Sequence, residues 1–254
     1  MTTAVPASTL AKLLHQARQN RQPLTELDPA LVPANPAAAY AVHKQVLGLR
    51  GVGVAAWKVG SKSSDGPIQA APLPSDGVHP TGVHLRRDDF QPLALELEVA
   101  FRFNRRFEPG RSYSDEEVMQ AIGSMGATIE LVTSRYAGWP KVEPLWQLAD
   151  LMSHGALVVG EFIPYREDFP FASPTLTFEF AGERRLPDWT AVNSAGDPRR
   201  LLPWLVNHCT AQGIVLTAET VVTTGSYIGM YFAEGAGAVK GSIAGLPPVE
   251  LTLV

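Results

Sequence analysis

The segment Leu93 to Phe103 constrains this chain more than any other. Leu93, Leu95, Leu97, Val99, Phe101 and Phe103 alternate with Ala94, Glu96, Glu98, Ala100 and Arg102, the two-residue period of a strand with one apolar face. A slip of one residue would bury both carboxylates, so the register is well specified. Residues two apart on a strand project to the same side, roughly 6.5–7 Å apart along the backbone. Glu96 and Glu98 therefore converge on one patch, with only the small Ala94 and Ala100 beside them. Like charges at that spacing raise each other's pKa unless a cation sits between them. Carboxylate oxygens are also the ligands preferred by hard divalent ions such as Mg²⁺ or Mn²⁺. A solvated sheet face carries the same residue types, so the pair alone leaves both readings open. A second alternating run, Ala127-Thr128-Ile129-Glu130-Leu131-Val132, supplies a further acid. If the two strands are neighbours, Glu130 completes a three-carboxylate cluster with open coordination positions, as a catalytic metal requires.

The chain of 254 residues is 45% hydrophobic and 18% charged, enough to bury a substantial core. Its net charge of -4 argues against nucleic acid as a partner, because phosphate binding is driven by clustered Lys and Arg. The single cysteine, Cys209, excludes an intramolecular disulfide and fits a reducing cytoplasm. Its amphipathic surroundings favour a buried small hydrophobe over a reactive thiol. The start, Met1-Thr2-Thr3-Ala4-Val5-Pro6, lacks the basic and apolar runs of a secretory signal. No window has the length and hydrophobicity of a membrane span. The expected setting is the cytoplasm, with no membrane partner and with assembly as a homo-oligomer.

Residues 8–20 have helical periodicity, with Ser8 as N-cap and Leu10, Leu13, Leu14 and Ala17 on one stripe. Asn35-Pro36 opens a second helix that Gly51 and Gly53 end. Residues 1–52 are thus expected as an N-terminal helical region, packed on the remainder or on another subunit, and 53–254 as the catalytic domain. Val52–Val59 has the composition of a strand that delivers Lys58 to its end, ordinarily a solvated position. Residues 61–92 are rich in Ser, Asp, Gly and Pro, predicting a long loop, part of it a lid or a static surface segment. Ser114 caps a short helix through Ile122 with acids in its first turn. Beyond it, Leu157–Val159, Leu176–Phe180 with a turn back towards Leu186, Val221–Ser226 and Val249–Leu253 predict strands, and Asp197-Pro198 starts a helix that Gly213 closes. The Gly turn at Thr224-Gly225-Ser226 exposes amides and hydroxyls suited to an oxyanion or carboxylate, or is a tight turn without a ligand.

Five blocks occur in order: Trp57-Lys58-Val59-Gly60, Glu96-Leu97-Glu98 with Ala100-Phe101, Glu130-Leu131-Val132 with Ser134-Arg135-Tyr136, Pro203-Trp204-Leu205-Val206-Asn207, and Thr224-Gly225-Ser226. With them the chain resembles the 2-keto-4-pentenoate hydratase and 4-oxalocrotonate decarboxylase group of the fumarylacetoacetate hydrolase superfamily. The resemblance implies an α+β fold, with N-terminal helices and a larger mixed β-roll domain. It implies Glu96, Glu98 and Glu130 as ligands of Mg²⁺ or Mn²⁺, and Lys58 as a pocket lysine that pairs with a carboxylate or moves a proton. Arg135, which holds a carboxylate or anchors Glu130, and Thr224, Gly225 and Ser226 are the implied substrate-binding residues, with His154 a secondary candidate. Two departures stand out. Thr133-Ser134-Arg135 replaces the usual Asp-Ser-Arg, and Ala149-Asp150-Leu151 replaces Ala-Asp-Asn.

The implied substrate is a short 2-oxo or 2-hydroxy-dienoic acid chelating the metal through its C1 carboxylate and C2 oxygen, in catabolism of the aromatic meta-cleavage type. The implied product of hydration is a 4-hydroxy-2-oxo acid. Decarboxylation of a 2-oxo-dicarboxylate uses the same dienolate logic and is the nearest rival. Hydrolytic C–C cleavage is disfavoured because no clear His-Glu dyad is evident to activate water. The departures at Thr133 and Leu151 also motivate a non-catalytic oxoacid-binding subunit.

Overall fold

Alternating apolar residues and turn formers divide the chain into short elements, seen in a computed structural model that describes residues 4–185 and 191–254. Among them are helices α1 (Ala4–Asn20), α2 (Pro36–Arg50), α3 (Asp115–Met119), α4 (Pro144–Ala149) and α5 (Leu201–Ala211). The strands are β1 (Val54–Ser61), β2 (Ile68–Pro74), β3 (Val78–Pro80), β4 (Val83–Leu85), β5 (Ala94–Phe103), β6 (Ile122–Val132) and β7 (His154–Pro164). They continue with β8 (Leu176–Phe180), β9 (Glu183–Arg184), β10 (Val221–Ser226), β11 (Tyr231–Phe232), β12 (Gly237–Ile243) and β13 (Val249–Leu253). One sheet runs β2-β1-β10-β5-β6-β7-β3 with β11 added on β5, and a second runs β4-β13-β12-β8-β9. Both mix parallel and antiparallel pairs, with β1–β10, β3–β7 and β4–β13 parallel. The expected α+β class with a mixed β domain is what the chain adopts.

The apolar face of β5 packs against the second sheet. Leu97, Val99 and Phe101 share one core with Phe178, Val239, Val249 and Leu251. Gly241 of β12 lets Leu97 approach so closely that a Cβ there would lie 2.5 Å from a leucine methyl. The opposite face, carrying Glu96 and Glu98, is covered rather than solvated. Ala100 packs with Ala56, Leu73, Leu157 and Val221 in a smaller core, and Arg102 lies 4.2 Å over the ring of Phe162. The sequence reading of a strand with one wet face is corrected here, because the curled sheet closes over its own inner side.

Most helices follow their signals, although α3 ends at Met119, Ile122 opens β6 instead of closing the helix, and α4 was not predicted. Asn35 caps α2 by accepting from Ala38 N–H at 2.9 Å, and Gly51 ends it in the left-handed region. Ser114 and Glu117 form a capping box on α3. Ser8 lies inside α1 rather than capping it. α1 and α2 pack through Leu10, Leu14, Ala39, Val42 and Val46 against Ala71, Tyr136, Leu148 and Leu151. None of the described helices is long and apolar enough to cross a membrane.

Residues 61–92 differ most from expectation. In place of a long loop, β2, β3 and β4 pair with β1, β7 and β13. Pro72 and Pro74 conceal β2 because proline is depleted in strands, yet β2 is the sheet's edge and an edge strand tolerates the missing N–H. The turn at Ala181-Gly182 joins β8 to β9, and the predicted return to Leu186 lies outside the described residues.

Gly155, the second residue of β7, tests how tightly the strands are held. A Cβ there would sit 2.6 Å from the Leu131 carbonyl and 2.9 Å from the Thr133 methyl. Gly155→Ala is expected to lower unfolding stability by about 1–3 kcal/mol through overpacking, read as a lower urea midpoint at unchanged slope.

Candidate metal centre

Antiparallel pairing of β5 and β6 sets Glu96 directly opposite Glu130 and Glu98 opposite Thr128. Directly paired residues share a face of the sheet, so the three glutamates meet, with ligand oxygens all within 4.8 Å of one another. Glu98 and Glu130 are 1% and 0% exposed, and Glu96 is half-buried. Lys58 reaches the same face from β1, because it pairs with Thr223 of β10, which in turn pairs with Ala100 of β5.

Each carboxylate is held differently. Lys58 Nζ lies 2.7 Å from both oxygens of Glu130 and donates a directed bond to Oε1. It also donates to the Met152 carbonyl at 3.2 Å. His154 Nδ1 is 3.1 Å from the same Oε1. Burial, reinforced by Arg18, Lys58, Arg135 and Arg50, holds the His154 pKa well below the usual imidazole range. The ring is thus neutral at physiological pH and donates its Nδ1 proton to the carboxylate. Glu98 Oε2 accepts from the Thr223 hydroxyl and from Gly225 N–H at 2.8 Å. Glu96 receives no hydrogen bond from any described residue.

Three carboxylates face one ammonium, and the imbalance shows in their acidity. Burial and the neighbouring glutamates push Glu96 up to about 8, against the pull of Lys58. Burial and Glu130 push Glu98 up to about 7, against Lys58 and the bonds from Thr223 and Gly225. For Lys58, burial alone would lower the pKa, but Glu130, Glu96 and Glu98 outweigh it and the net shift is upward. Without a metal Lys58 is therefore a charged donor, the first of the two roles the sequence left open. The donor set fits a hard divalent cation. Glu98 Oε1, both oxygens of Glu96 and the Glu130 Oε2, which takes no directed hydrogen bond, are available ligand atoms, and oxygen is what Mg²⁺ and Mn²⁺ prefer.

The remaining predicted residues lie around this centre without facing it equally. Arg135 Nε donates to Asp150 Oδ1 at 2.5 Å, its Nη1 to the His154 carbonyl at 2.9 Å and its Nη2 to the Asp150 carbonyl. The guanidinium is thus committed to Asp150 and the His154 carbonyl, tying the segment after β6 to the start of β7. His154 is wholly buried on Glu130. Thr224 Oγ1 donates to the Val99 carbonyl and Ser226 Oγ to the Gly229 carbonyl, so both hydroxyls serve the backbone. The carboxylate that Gly225 N–H binds is the protein's own Glu98. Thr223 and Met152 were missed. The strand alternation of Val221-Val222-Thr223 placed Thr223 on one face without saying which, and nothing local marked Met152. Leu151, Met152 and Ser153 all have positive φ, from 51° to 60°, a costly run for residues with side chains that aims the Met152 carbonyl at Lys58.

Linkage gives a signed prediction. The folded protein retains protons on Glu96 and Glu98 that the unfolded chain releases near 4.5, so metal-free stability falls as pH rises from there to about 8. Mg²⁺ or Mn²⁺ competes with those protons and is expected to raise Tm more at pH 8 than at pH 6. Calorimetry that found an equal gain at both would contradict the cluster's electrostatics.

No protein-family model and no curated protein matches the sequence. Solved structures do. 4-Oxalocrotonate decarboxylase from Pseudomonas putida G7, complexed with magnesium and adipate, superposes with a TM-score of 0.83 at 19% identity, over 98% of this chain and 97% of that one. Its complex with calcium and acetate gives 0.83 at 18%, over 98% and 97%. Fumarylpyruvate hydrolase from Pseudomonas aeruginosa, in complex with Mn²⁺ and pyruvate, gives 0.56 at 14%, over 78% and 88%. At these identities the likeness is one of fold, and with 4-oxalocrotonate decarboxylase it runs nearly end to end.

Proposed function

We propose that this chain is a metal-dependent enzyme of the fumarylacetoacetate hydrolase superfamily, acting on a short 2-hydroxy-dienoic acid and hydrating it to a 4-hydroxy-2-oxo acid. The observation that carries the reading is the convergence of Glu96, Glu98 and Glu130 on one buried face beside a charged Lys58. Proteins of the same fold bind magnesium with adipate and Mn²⁺ with pyruvate, which supports a divalent ion and a small carboxylic or 2-oxo acid here. A cytoplasmic homo-oligomer, with residues 1–52 buttressing a catalytic domain of 53–254, belongs to the same proposal. The buried Cys209, whose thiol burial pushes up, fits a structural role.

A divalent ion, when bound, would neutralise the cluster and stabilise negative charge developing on the substrate's C2 oxygen. The protein's own residues do the rest. Lys58 Nζ has three N–H groups and directs hydrogen bonds to two acceptors, so one remains for a substrate oxygen or for delivery of a proton to the terminal carbon of the diene. That protonation, with the C2 hydroxyl proton passing back to replenish Lys58, turns the dienol into an unsaturated 2-oxo acid. Water then adds at C4, and the proton it loses returns through C3, giving the 4-hydroxy-2-oxo acid. His154 and the Met152 carbonyl keep Glu130 and Lys58 in register while this occurs.

A second reading is favoured by the decarboxylase likeness over 98% of the chain. Decarboxylation of a 2-oxo-dicarboxylate needs the same electron sink and a proton from the same lysine. Incubation with Mg²⁺ or Mn²⁺ and each acid separates the two. Loss of diene absorbance without gas marks the hydratase, and CO₂ release marks the decarboxylase. Metal-dependent oxoacid binding with no turnover of either acid would sink both and leave an oxoacid-binding subunit. Lys58→Met is expected to lower kcat by about 10²- to 10⁴-fold while calorimetry still records metal binding.

A further inference from the structure

Glu98 differs from the other two glutamates in that one of its oxygens is engaged by β10, whereas Glu130 is held by Lys58 and His154 and Glu96 receives no hydrogen bond from a described residue. Thr223 donates its hydroxyl proton to Glu98 Oε2. The Thr223 oxygen lies 2.9 Å from Thr128 Oγ1. With the Thr223 proton committed to the carboxylate, Thr128 must be the donor of that second bond, so the two hydroxyls form a directed relay ending on Glu98. Thr128, Thr223 and Glu98 are all essentially excluded from solvent, at 0%, 0% and 1%. The register between β10 and β5 shifts after Thr223, where Gly225 adopts φ +91°. That bulge turns Gly225 N–H onto the same Oε2. Asn193 fixes the bulge from outside the sheet, donating through Nδ2 to the carbonyls of Thr224 at 3.0 Å and Gly225 at 2.9 Å.

We infer that Thr223, backed by Thr128 and by the Asn193-clamped bulge, is a positioning residue that pins one oxygen of Glu98 so that the other faces the cation. The inference rests on the cluster being a divalent-metal site. Partners of this kind hold a metal ligand in orientation, and their loss costs about 10- to 100-fold in affinity.

Isothermal titration of the full chain with Mn²⁺ tests it. Thr223→Val, which keeps the shape and removes the hydroxyl, is expected to weaken binding about 10- to 100-fold, and Thr223→Ser to restore it to within about threefold. Asn193→Ala, outside the sheet, is expected to weaken binding as well, and keeps the inference testable should Thr223→Val fail to fold. Native Mn²⁺ affinity in Thr223→Val or in Asn193→Ala overturns the inference while leaving the metal site standing. Absence of Mn²⁺ binding by the unaltered chain overturns both.

Discussion

Three carboxylates share a buried face of β5 and β6 with a single ammonium, and the surrounding structure is arranged around that imbalance. Burial makes each charge expensive, and proximity makes the second and third more so. Lys58 compensates Glu130, leaving Glu96 and Glu98 to retain protons or to share a cation. A divalent ion would resolve the conflict with the oxygens present.

The supporting contacts extend outward in a graded way. Glu130 is oriented by His154, whose carbonyl receives Arg18 Nη2 from α1 and Arg135 Nη1 from the segment after β6. Asp150 in turn fixes Arg135 through side chain and backbone. The N-terminal helices are thereby joined to a candidate ligand through one carbonyl oxygen. Glu98 has its own support on the other side, from β10 and Asn193. The two halves of the centre hang on separate parts of the chain and meet across the β5–β6 pairing.

The left-handed run Leu151–Ser153 sets local backbone cost against packing. Asn tolerates positive φ better than a branched apolar residue does, yet Leu151 is 2% exposed and packs with α1 and α2. The chain accepts backbone strain at this position and gains apolar contact with its helical region.

What the sequence determined by itself was local. The alternation from Leu93 to Phe103 defined β5, Asn35-Pro36 and Ser114 marked where helices begin, and Glu96 with Glu98 announced a shared face. These signals are carried by neighbours two to four residues apart, which is the range over which backbone periodicity acts. The tertiary structure decided that the glutamate face is enclosed, that Glu130 stands across from Glu96, and that Lys58 arrives from a strand two places away. It also decided that Thr223 holds Glu98 and that Arg135 is committed to Asp150. Each of those depends on which strands pair and in what register, and pairing energy comes from residues far apart in the chain, so no local pattern could encode it.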